Sequence, residues 1–100
     1  MKRQLTLTEA KNEIQSLETF VQIVENYEPK TLQEEIYKFY AITGSIPKTA
    51  ALINEKRVQN MLTPIDTVLV TEAIKSKPID QLHRIIRSGY MTKTRHMRKK

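Results

Sequence analysis

The chain has no cysteine, so neither a disulfide framework nor a thiolate metal site holds it together, and stability must come from burial. That composition suits a reducing compartment, and a cytoplasmic location is expected. Glycine and proline are scarce, two and four in 100 residues, which excludes collagen-like and linker-like chains. No apolar run approaches the ~18 residues of a membrane span. The start MKRQLTLTEAK places no apolar stretch behind its two cations, so neither an export signal nor a membrane partner is expected. His83 and His96 are the only histidines. Asp80 and His83 share a helical face, but two ligands do not make a tetrahedral zinc site, and no metal is expected. A Walker loop, a dinucleotide fingerprint and a recognisable nucleophile-base set are all missing. Glu34 and Glu35 are adjacent and point about 100° apart on a helix, so they are no opposed carboxylate pair. The expectation is a protein that is not an enzyme, with no cofactor and no small-molecule ligand.

What is present is a globular composition, 39% hydrophobic and 28% charged, in a chain long enough for one core. Its charge is unevenly distributed. Residues 1–50 carry six Lys/Arg against seven Glu, whereas residues 51–100 carry eleven Lys/Arg against four Asp/Glu. A net +7 in the second half makes a polyanion its natural partner, because cations that displace counterions from phosphates are the main sequence-independent source of nucleic-acid affinity. The competing reading is a solubilising surface charge.

Apolar periodicity predicts an all-α fold. Thr6 and Glu9 have capping-box spacing, and Leu7, Ala10, Ile14, Leu17, Val21 and Val24 then recur at intervals of 3, 4, 3, 4 and 3, predicting a helix over 7–27 ended by Pro29. Phe20, Ile23 and Tyr27 widen the stripe at its end. The 3,4 repeat suits either a partner helix within the chain or the seam of a homodimer. The outer face, with Glu9, Lys11, Glu13, Glu18 and Glu25, is mostly acidic and unsuited to phosphate. Thr31 and Glu34 repeat the capping spacing before a second helix on Leu32, Ile36, Phe39 and Tyr40, closed by Gly44 as a left-handed residue. Tyr37, Phe39 and Tyr40 read as core in preference to a base-stacking platform.

Ser45 and Pro47 start a short third helix with Ala50, Leu52 and Ile53 inward. Asn54, tolerant of positive φ, is expected to turn the chain into another short helix over 55–62 with Val58, Met61 and Leu62 inward. Thr63 and Pro64 open a segment buried through Ile65, Val68, Leu69 and Ala73, although the β-branched run 67–71 also suits a strand. Pro78 opens a last helix on Ile79, Leu82, Ile85 and Ile86, with Arg84 and Arg87 outward, stopped by Gly89. Residues 1–90 thus read as a single domain with C-terminal helices over 64–88, and 91–100 as a flexible basic tail.

Residues 32–62, with the stretch GSIPKTAALIN, resemble the tri-helical helix-turn-helix of bacterial and phage DNA-binding proteins. Ala50 supplies a small residue at a close helix crossing and Asn54 a permissive turn. The turn carries Asn where that family most often has glycine, and its last helix is short. The resemblance implies a small helical bundle containing a helix-turn-helix and a sequence-specific binder of double-stranded DNA, a transcriptional regulator working as a dimer. Lys56, Arg57, Gln59 and Asn60 would then face the bases, being side chains able to pair with guanine or adenine edges. Ser45 and Lys48 would lie at the phosphate backbone, and Lys93, Arg95, Arg98, Lys99 and Lys100 would add sequence-independent contacts. The alternative is a helical protein-protein adaptor, or a nonspecific nucleic-acid binder, using the heptad stripe and the last helix.

Overall fold

The computed structural model describes residues 6–95, so Arg98, Lys99 and Lys100 of the expected tail lie outside the described residues. The fold is all-helical: α1 (Leu7–Asn26), α2 (Leu32–Thr43), α3 (Ile46–Gln59), α4 (Thr67–Lys75) and α5 (Gln81–Lys93). Every helix starts at an oxygen-bearing side chain. Thr6, Thr31, Ser45, Asp66 and Asp80 each accept a hydrogen bond from the backbone N–H three residues on, the interaction that most directly fixes a helix start. At Thr6 the reciprocal bond from its own N–H to the Glu9 carboxylate completes the capping box. Among the described residues no helix is long and apolar enough to cross a membrane.

The core lies among α2 to α5. Ile36, Tyr37, Ile53, Val70, Ile74 and Leu82 are fully enclosed, with Tyr40, Ala50, Ile65, Ala73 and Ile86 around them. His83 is enclosed with them. Its ring stacks on Tyr37 at a centroid distance of 4.0 Å. Its Nδ1 accepts from the Ile79 N–H at 3.2 Å, which leaves Nε2 to donate to the Ile74 carbonyl at 3.0 Å. The ring thus ties the end of α4 to the start of α5, and the histidine that shares a face with Asp80 is a core residue. Asp80 caps α5 and accepts the Tyr27 hydroxyl at 2.6 Å, joining α1 to the bundle. Burial, and then that bond to a carboxylate, push the Tyr27 phenol well above its ordinary range.

Four expectations are corrected. The main one concerns Asn54. The chain does not turn there: α3 runs unbroken through it to Gln59, so the separate helix over 55–62 does not exist. The Asn54 amide instead makes two 2.7 Å bonds to Ile65, donating to its carbonyl and accepting from its N–H. A side chain that could relax a turn has become a clamp between α3 and the approach to α4. The left-handed residue that ends α3 is Met61, at φ +61°. Leu62 N–H reaches the Arg57 carbonyl at 2.7 Å and Met61 N–H the Val58 carbonyl at 3.0 Å, the paired bonds of a Schellman ending.

Second, because α3 is continuous, Val58, Met61 and Leu62 are exposed and not inward. Third, residues 67–71 are helical, and of the face expected to be buried Val68 and Leu69 are exposed while Val70 and Ile74 take the core positions. Asp66 fixes this register by capping α4, which starts three residues after Pro64. Fourth, the last helix starts after Asp80, leaving Ile79 exposed, and continues through Gly89 to Lys93. The expected tail therefore begins as helix. Gly44, by contrast, adopts φ +67° and donates its N–H to the Tyr40 carbonyl at 2.7 Å, as its place after α2 predicts.

Candidate nucleic-acid interface

The residues expected to meet nucleic acid fall at opposite ends of α3. At its N-terminal end the turn from α2 is closed by three hydroxyls. Thr49 Oγ1 donates to the Ser45 carbonyl at 2.7 Å, Thr43 and Thr49 share a 3.0 Å hydroxyl contact, and the Ser45 N–H reaches Thr43 Oγ1 at 3.2 Å. Ser45 Oγ accepts the Lys48 N–H at 3.3 Å, and Pro47 has no N–H to offer. Few free amides therefore remain in this first turn, so any attraction for phosphate there comes from the helix dipole and the exposed Lys48 side chain.

The end of α5 meets this turn. Lys93 Nζ donates to the Gly44 carbonyl at 2.8 Å. A cleft of about 360 Å³ lies between them, lined by Tyr40, Ser45, Ile46, Pro47, Tyr90 and Thr94 as well as Gly44 and Lys93. Tyr40 and Tyr90 meet edge-to-face across it at 6.2 Å, and burial raises the Tyr40 phenol, so it stays protonated at neutral pH. Arg95 follows directly, exposed, just past the Thr94 cap of α5. Ser45, Lys48, Lys93 and Arg95 thus gather at one pole of the bundle.

Lys56, Arg57, Gln59 and Asn60 lie at the far end of α3. A helix of 14 residues at ~1.5 Å per residue separates its ends by about 20 Å. Three of the four side chains already have intramolecular partners. Lys56 pairs with Glu35 at 3.0 Å, Arg57 Nε donates to the Thr63 carbonyl at 2.6 Å, and Asn60 Nδ2 donates to the Lys56 carbonyl at 3.0 Å. Gln59 is exposed. The structure does not present the four as the outer ridge of a separate helix that a turn at Asn54 would have created.

Sequence reasoning also missed a use of positive charge. The last turns of α1 and α2 contain no basic residue, although the carbonyls gathered there favour one. Other helices supply it: Lys38 of α2 donates to the Tyr27 carbonyl at 2.7 Å, and Lys93 of α5 serves α2. Arg87 does the same for α4 through the Lys75 carbonyl at 3.0 Å. Part of the cationic excess therefore also serves helix ends. No local pattern reveals this, because each donor lies 11, 49 or 12 residues from its acceptor. Among the described residues no three His, Cys, Asp or Glu side chains form a group fit for a metal ion. Comparison with protein-family models, curated proteins and solved structures returned no match.

Proposed function

We propose that the protein binds duplex DNA by its phosphate backbone, using the pole formed where the end of α5 meets the start of α3. The observation that carries this reading is the gathering there of Lys48, Lys93 and Arg95 beside the N-terminus of α3. The second half of the chain, with its net positive charge, continues from this same point into Arg98, Lys99 and Lys100. Clustered cations are what a polyanion responds to, since each neutralised phosphate releases condensed counterions. Base discrimination by Lys56, Arg57, Gln59 and Asn60 is not carried forward, because its premise was a bend at Asn54.

The test is the salt dependence of binding to a labelled random-sequence duplex, starting at ~50 mM salt. Lys48→Ala and Arg95→Ala should each lower the slope of log affinity against log salt by about 0.9, whereas Gln59→Ala should leave both slope and affinity unchanged. A full-length chain with no affinity at ~50 mM salt, where backbone contacts are strongest, ends the proposal. Selection of sites from random duplexes then measures any sequence preference directly.

A further inference from the structure

The N-terminal two thirds of α1 has an apolar face that no other described element covers. Leu7, Ile14, Leu17 and Val21 are 71%, 57%, 62% and 47% exposed. Only the C-terminal end of the helix reaches the bundle, through Phe20, Ile23, Val24 and Tyr27. The exposed residues form a seam at intervals of 3 and 4 once Ala10 is included. A shallow groove lined by Ile14, Leu17, Glu18, Val21 and Gln22 follows it. Continuous apolar stripes of this kind are normally covered.

We propose that the covering element is α1 of a second copy of this chain, lying antiparallel, with the two-fold axis between Gln15 and Ser16. The heptad register places Leu7, Ile14 and Val21 at one seam position and Ala10 and Leu17 at the other. Antiparallel pairing about that axis sets Ile14 against Leu17 of the second copy and Ala10 against Val21 of the second copy. The smallest seam residue thus falls where α1 nears the bundle and room is least.

Charge selects this orientation. The flanking residues Lys11 and Glu18 come together twice across the antiparallel seam, Lys11 of each chain beside Glu18 of the other. In a parallel pair Lys11 would face Thr6 of the second copy, and Glu18 would face Glu13 of the second copy, a like-charge contact. Antiparallel pairing also puts the two bundles at opposite ends of the helix pair, whereas parallel pairing crowds both bundles at one end. This inference does not depend on DNA binding: the seam and the basic pole lie on different helices.

Sedimentation equilibrium of the full chain from ~1 to ~200 µM should show a reversible dimer, because self-association follows mass action. Leu17→Glu should abolish it with the helical circular-dichroism spectrum retained. Lys11→Glu should weaken it at least several-fold, and Lys11→Glu combined with Glu18→Lys should restore it. Because the chain has no cysteine, orientation is readable by cross-linking: a mixture of Ile14→Cys and Leu17→Cys chains should oxidise to the mixed disulfide, and neither alone to its own dimer. A monomer at every concentration, or a dimer indifferent to Leu17→Glu, overturns the proposal. Efficient self-linking of Ile14→Cys overturns the antiparallel arrangement.

Discussion

Helix α1 and the bundle of α2 to α5 carry apolar patterns of similar regularity, yet one leaves most of its stripe in water and the other encloses Ile36, Ile53, Val70 and Leu82. The difference shows what periodicity measures. A repeat at 3 and 4 states that a helix has an apolar face; it does not state which element covers that face. In the bundle short connections and opposed stripes bring the partners from the same chain. Along α1 only Phe20, Ile23, Val24 and Tyr27 come within reach of them.

Substitutions sharpen the contrast, and the largest effect is expected at the centre of the bundle. Ile53→Ala, at a fully enclosed site, should lower unfolding free energy by about 2–5 kcal/mol in urea titrations. Asn54→Ala removes both bonds to Ile65 and strands two backbone groups, which should cost about 2 kcal/mol. The two left-handed positions should respond in opposite senses. Gly44→Ala forces a Cβ into φ +67° and should destabilise by about 1 kcal/mol, whereas Met61→Gly relieves φ +61° at an exposed side chain and should stabilise by a similar ~1 kcal/mol. Leu17→Ser, on the uncovered face, should change the unfolding of dilute protein by less than ~0.5 kcal/mol. A core-sized loss there would mean that α1 is covered at that dilution too.

The link between the two regions has its own signature in pH. The raised Tyr27 phenol favours the folded state while it is protonated. That contribution is whole below the unfolded phenol value of ~10 and is lost as pH rises beyond it. Tyr27→Phe should flatten the alkaline limb of a stability-against-pH curve, and an unchanged limb would show that the bond to Asp80 does not hold α1 in place.

Most of the helices were legible in the residues, because caps and stripes are local signals. Thr6, Thr31 and Ser45 mark their starts, and Gly44 marks the end of α2, in keeping with their side-chain chemistry. Asn54 was misread because its amide suits two outcomes: it tolerates a turn, and it can also bond to a distant backbone segment. Only the three-dimensional course of residues 60–66 decides between them. Gly89 was misread for a related reason. Open space around it leaves a helix free to continue through it at a modest propensity cost. The expected nucleic-acid residues were legible as a set of side-chain types but not as a place, since α3 holds Lys48 and Asn60 at opposite ends and brings Lys48 near Lys93, 45 positions away in the chain.

The two bonds between Asn54 and Ile65 have a practical consequence. Because the register of α4 is pinned at Ile65 and by the Asp66 cap, the exposed stretch from Leu62 to Pro64 does not have to set it. Lengthening a loop costs little free energy when its anchors stay fixed. An epitope or a fluorophore-bearing peptide spliced between Leu62 and Thr63 should therefore leave the helices on either side in place, giving a handle remote from both the cationic pole and the seam on α1.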